Sequence, residues 1–328
     1  MLGVAVFLVW VVLPLFTPAS VEDFSTRGQA SGGELLHVAV DEYGLIGWAL
    51  KRDGAVEVFR LDDGSQRHGE RIAEPGQLES ASFLLQSDLS VLGFADGSMR
   101  FAEIGFETRI LDRADLPAEA ADRVDELPTD TAVDYLDGIV ERTPSDQYRV
   151  QRLSVELGDS VQLSDGPVHR ITHVPGPEGP IVAALAEDST GAGLYVIVGR
   201  EKSDFLTGRS TLTFDDPVRI PFDALGGFPS HVAIAGTGKD VFLAWEGGEI
   251  ERIDVTDLSA PYVAERGRLV PRGTALTALS FILGNNTLVW GDSQGEVEAG
   301  FLVRLEDLED PSALGLYEAN AIRAPPRF

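Results

Sequence analysis

His169 and His173 stand four apart in VHRITHV (168–174), a spacing that puts both imidazoles on one face of a strand. Two imidazoles are half of a zinc site, and the other half is not near them in sequence. Packing or surface exposure is therefore the better reading of this pair. His37 (ELLHVAV) and His231 (PSHVAIA) hold matching places in two further apolar runs. There a polar residue lines a channel or bonds a neighbouring layer, which is a structural role. The chain has no Cys, which removes disulfides, zinc–thiolate sites and thiol nucleophiles together. No H-E-x-x-H helix, phosphate loop or dinucleotide fingerprint is signalled, and no serine is read as a strand-to-helix nucleophile elbow. GTGKD (236–240) superficially resembles a phosphate loop but lacks the first Gly and the Ser or Thr after Lys239. Asn285-Asn286-Thr287 matches a glycosylation acceptor and carries no weight. The sequence therefore assigns no catalytic, cofactor-binding or metal-ligating residue, and the chain is not read as an enzyme.

The elements that would position any site are hairpins. LIGWALKRDGAVEVFRL (45–61), SVLGFADGSMRFAEI (90–104), DVFLAWEGGEIERIDV (240–255) and TLVWGDSQGEVEAGFLVRL (287–305) share one pattern. Each sets an aromatic residue (Trp48, Phe94, Trp245, Trp290) before a turn Gly (Gly54, Gly97, Gly248, Gly295), and an alternating strand follows. Gly supplies the positive φ of a tight hairpin turn. Gly54 and Gly97 are 43 residues apart, and Gly248 and Gly295 are 47 apart. That is the period of four-stranded propeller blades. Two degenerate copies, 138–157 turning at Ser145-Asp146 and 180–200 turning at Gly191–Gly193, fill the interval between the clear ones. Apolar runs at 35–41, 80–86, 168–174, 231–236 and 277–283 would be innermost strands. The expectation is an all-β propeller of six blades, with 316–328 starting a seventh that this chain leaves incomplete. A β-sandwich pair would not show this period. The four aromatics should be buried between blades.

Residues 112–138, rich in Asp, interrupt the repeat. Leu116, Ala120 or Ala121, Val124 and Leu127 keep a helical spacing between Pro117 and Pro128. The segment reads as an exposed acidic loop with a short helix, inserted between the second and third blades. Its acidic intervals are too irregular for a calcium loop.

Residues 1–21 carry no charge, and Leu2 to Phe16 is apolar apart from Gly3 and Pro14. About 20 apolar residues span a bilayer, so this run is expected to be a transmembrane helix. A cleaved signal peptide is the rival, but it normally opens with a basic residue and has a shorter apolar stretch. A buried core helix is the third reading. Every charge falls in 22–328, the expected extracytoplasmic domain, where 26 basic against 53 acidic residues give −27. Such a surface repels nucleic acid and anionic headgroups. An acidic, Cys-free domain behind a membrane helix fits the extracytoplasmic (periplasmic) side of a bacterial inner membrane.

VVLPLFTPASVE (11–22), TLVWGDSQGEVEAGFLVR (287–304) and NAIRAPPRF (320–328) resemble the permease subunit of bacterial phosphate ABC importers. The form resembled carries a WD-repeat-like propeller outside the cytoplasm after its first transmembrane helix. The resemblance implies a docking or modulating platform whose partners are the second permease, the ATPase and the phosphate-binding protein. No second apolar run of about 20 residues follows residue 21, so the chain could not transport phosphate alone and no transport residue maps onto it. The alternative is a free-standing, membrane-anchored propeller that scaffolds envelope assembly.

Overall fold

Gly54 sits at φ 82°, and Asp53-Gly54 closes a hairpin whose first strand is buried along its whole length and whose second buries alternate residues. The same device recurs at Gly97, Gly248 and Gly295, each with φ between 82° and 92°. The computed structural model describes residues 32–84, 87, 89–129, 131–203, 210–222, 227–304 and 314–323. The expected helix at 1–21 lies outside them. Among the described residues no helix is long and apolar enough to cross a membrane.

The strands form five antiparallel sheets in chain order. The first holds β1 (Leu35–Val40), β2 (Ile46–Lys51), β3 (Ala55–Arg60) and β4 (Gln66–Arg71). The second holds β5 (Leu78–Phe83), β6 (Leu89–Phe94), β7 (Ser98–Leu111), β8 (Val133–Tyr135), β9 (Gly138–Arg142) and β10 (Tyr148–Gln162), ordered β5-β6-β7-β10-β9-β8. The third holds β11 (Val168–Pro175), β12 (Pro180–Asp188), β13 (Gly191–Ser203) and β14 (Ser210–Phe214), with β15 (Val218–Ile220) also on β13. The fourth is β16 (His231–Ile234), β17 (Asp240–Ala244), β18 (Glu249–Asp254) and β19 (Tyr262–Arg268). The fifth is β20 (Leu276–Phe281), β21 (Thr287–Asp292), β22 (Glu296–Arg304) and β23 (Leu314–Arg323).

Each sheet lays a face on the next. Trp48, Leu50 and Val58 of the first meet Leu78, Leu92 and Ile104 of the second. Val91 and Met99 meet Val168, Val182 and Tyr195 of the third. Val174, Leu185 and Val196 meet Ile234, Leu243 and Trp245 of the fourth. Phe242 and Ile250 meet Leu276, Leu288 and Trp290 of the fifth. The initial strands β1, β5, β11, β16 and β20 pack successively beside one another. Sheets stacked face to face around a shared set of inner strands make a propeller-like arrangement. The four aromatics are at most 7% exposed, as the repeat requires. Trp245 Nε1 donates to the Gly227 carbonyl at 2.9 Å and Trp290 Nε1 to that of Leu269 at 3.0 Å, so neither indole is buried unpaired.

Three expectations are corrected. The hairpin at 138–157 is not a blade: β10 lies along β7 from Tyr148↔Leu111 to Gln162↔Ser98, so the hairpin widens the second sheet. The physical reason is visible in sequence, because no apolar inner strand precedes it. The blade count is therefore five among the described residues, not six. Nor does 316–328 begin a new blade. β23 pairs with β22 (Phe301↔Tyr317) and completes the fifth sheet, with 324–328 outside the described residues.

The acidic insertion belongs inside the second sheet rather than between blades. Its helix, α1 (Ala118–Asp125), buries Ala121 and Val124 with Leu116 against Val140 and Tyr148. The helical spacing is thus realised, but as a small satellite core with an acidic outer face.

Candidate binding site between the inner strands

β5, β11, β16 and β20 are each the first strand of their sheet, so each is paired on one side only. Their other edges converge on a cavity of about 560 Å³. Ser82 and Phe83 come from β5, Thr172 and His173 from β11, Val232 and Ile234 from β16, and Leu279 to Phe281 from β20. Asn285, in the turn after β20, also lines it.

His173 is 1% exposed. Its Nδ1 lies 2.8 Å from Ser82 Oγ, a hydrogen bond that ties the third sheet to the second. Nε2 makes no hydrogen bond. Burial pushes the imidazole down to about 4; the Leu89 backbone opposes this without closing a bond to Nε2. The ring is therefore neutral near pH 7. Ser80 Oγ makes a second tie, donating to the Val168 carbonyl at 2.6 Å.

The other histidines serve separate places. His169 flanks a register shift at the start of β11 and turns to Glu187 (3.6 Å) and the Phe228 ring, away from His173. The pair shares no site, and no cluster of three metal-capable side chains occurs among the described residues. His37 stacks on Phe83 of the second sheet at 3.9 Å, bonding a neighbouring layer as its position implied. His231 Nδ1 lies 2.8 Å from Ser230 Oγ, and burial lowers the affinity of both His37 and His231 for a proton.

A second cavity, of about 550 Å³, lies against Glu178, Gly179, Arg200, Glu201 and Lys202. Arg200 there is already held by Glu178 and by Asp215, the latter at 2.9 Å. Carboxylates already occupy its guanidinium.

Reading the sequence missed two things. Gly291-Asp292-Ser293-Gln294-Gly295 carries the letters of a nucleophile elbow. It is the turn between β21 and β22, strand to strand, with Ser293 exposed and its Oγ accepting from the Ala275 amide at 3.1 Å. A nucleophile elbow runs from strand to helix. The axial cavity was also missed, since its polar groups come from separate sheets and no short spacing joins them.

The chain is similar to the β-propeller domain of Cps50 (Swd1) from Myceliophteria thermophila. The two are 10% identical, 89% of this chain and 73% of that one are covered, and the TM-score is 0.48. A likeness of that size adds nothing about ligand or partner, and the propeller-like arrangement rests on the chain's own sheets. No family model and no curated protein matches the chain.

Proposed function

We propose that the protein is a non-catalytic interaction platform. The observation that carries this is the rigid stack itself: four consecutive sheet-to-sheet cores hold five sheets, leaving turns and outer strands as broad, fixed surfaces. Rigid scaffolds with exposed loops are where binding surfaces are built.

At finer grain, the platform is the extracytoplasmic part of a phosphate-importer permease, anchored through residues 1–21 in a bacterial inner membrane. The sequence likeness of 11–22, 287–304 and 320–328 supports it, as does the uncharged N-terminal run. In this role it docks the phosphate-binding protein or modulates import beside the second permease and the ATPase, and it needs no anion site of its own. Deleting 22–328 while keeping the membrane helices should then alter phosphate uptake or its regulation, leaving ATPase coupling intact. Uptake equal to wild type at every phosphate concentration would sink this assignment.

The second reading is a membrane-anchored envelope scaffold, a role that the same rigid stack of sheets would serve. Coding sequence beyond Phe328 separates the two. Several further apolar helices support the permease, and a stop codon supports the scaffold.

A further inference from the structure

We propose that the cavity between the inner strands binds a neutral, hydroxyl-rich ligand of the saccharide class. This reading stands apart from the importer assignment and can fail or hold without it.

The first ground is charge. Asp, Glu, Lys and Arg make up 24% of the chain, yet none is among the described residues lining the cavity. The walls offer instead the hydroxyls of Ser82, Thr172 and Ser280, the Asn285 amide, and the Phe83 and Phe281 rings. Pockets for small molecules run from roughly 300 to 1,000 Å³ and combine apolar walls with a few converging polar groups. The cavity, at about 560 Å³, fits that description. A charged ligand would lose hydration there with no opposite charge among the described lining residues to replace it. A saccharide brings hydroxyls that both donate and accept, and apolar ring faces for the two phenyl groups.

The second ground is an unmet hydrogen-bonding group. His173 lines this cavity, is 1% exposed, and has an Nε2 with no partner. Buried polar atoms without partners are uncommon and costly. Nε2 is itself enclosed, so a ligand hydroxyl meets it only after the wall shifts, and the ring otherwise adds a neutral polar group to the lining. Burial keeps the ring neutral, so the cavity does not gain charge near pH 7.

The third ground is the backbone. Four inner strands, each four to eight residues long, present unpaired edges around one axis. A peptide strand would extend one edge and needs its length. Short edges converging from several sides suit a compact ligand with donors and acceptors on all sides.

The test titrates the full chain with maltose, trehalose and N-acetylglucosamine, using calorimetry and ligand-observed NMR. Glucose 6-phosphate and a neutral Gly/Ser/Pro hexapeptide are the controls. At least one neutral sugar should bind with Kd of about 1 mM or tighter. Glucose 6-phosphate should bind at least about tenfold more weakly than that sugar. Ser280 is exposed to the cavity, so Ser280→Arg should fold, checked by circular dichroism, and should weaken the sugar at least about tenfold. Ser280→Thr, which keeps the hydroxyl, should retain binding. The proposal is overturned if none of the three sugars binds, or if binding is undiminished in Ser280→Arg. It is equally overturned if the phosphorylated sugar binds as well as the neutral one. Tighter binding of the hexapeptide would reassign the cavity as a peptide dock.

Discussion

Among single residues, His173 carries the clearest solution consequence. The unfolded chain takes up its proton near 6.5, while the folded chain holds the ring neutral down to about 4. Between those values the unfolded state binds more protons, so stability must fall as pH drops through the window. One pKa unit is worth about 1.4 kcal/mol, so His173 contributes at most about 3 kcal/mol of this loss. His37 and His231, also shifted down by burial, add in the same direction. Denaturant unfolding at pH 7 and pH 5 should show wild type losing stability and His173→Leu losing measurably less. An equal loss in both would assign the acid sensitivity elsewhere. The tryptophans give a second check. Trp290 is 1% exposed with its Nε1 bonded to Leu269, so Trp290→Phe should cost about 1–3 kcal/mol from the orphaned carbonyl and lost packing. Denaturation midpoints read this directly.

Among elements, the turns were legible in sequence because Gly in a tight hairpin has one dominant physical cause. Yet equal turns are not equally constrained. A Cβ on Gly97 would lie 2.1 Å from the Ser164 carbonyl oxygen, because the chain leading to the third sheet passes beneath that turn. Gly295 has the same φ of 82° but no atom within 4 Å of that position. Gly295→Ala should therefore cost only the left-handed backbone penalty, about 1–2 kcal/mol. Gly97→Ala adds a collision with backbone and should exceed it clearly, to about 3 kcal/mol or more. Equal thermal shifts in the two variants would contradict the close approach. The hairpin at 138–157 shows where turn signals stop informing. It is a degenerate copy of the others, a hairpin without their aromatic and turn Gly, and its sheet membership is decided by which long strand it lies along. β7 and β10 run 14 and 15 residues, well beyond an ordinary blade strand, and pair along nearly their whole length. An inner strand is what makes a hairpin a blade, and here the acidic insertion stands in its place.

For the whole molecule, the five inner strands and the period were legible because each strand is a short apolar run of its own and each hairpin repeats the same local turn. The axial cavity was not, because Ser82, Thr172, His173 and Ser280 come together only when separate sheets converge. The same stacking sets how stability is distributed. β11 and β16 lie between flanking sheets, whereas β1 and β20 begin the sheets at the two ends of the stack. Burial follows this order. Val38 and Val40 of β1 are 48% and 58% exposed, and Thr277, Ala278 and Ser280 of β20 are exposed. His173 and Val174 of β11 and Ala233 and Ile234 of β16 are at most 4% exposed. Units held by a neighbour on one side open at lower free energy than units held on both. Native-state hydrogen exchange should therefore find β1 and β20 exchanging ahead of β11 and β16. Proteolysis under native conditions should begin near the same end sheets. Exchange of β1 as slow as that of β11 would mean that the first and fifth sheets grip each other as firmly as the inner ones do. The molecule would then open as one closed unit rather than fraying from its ends.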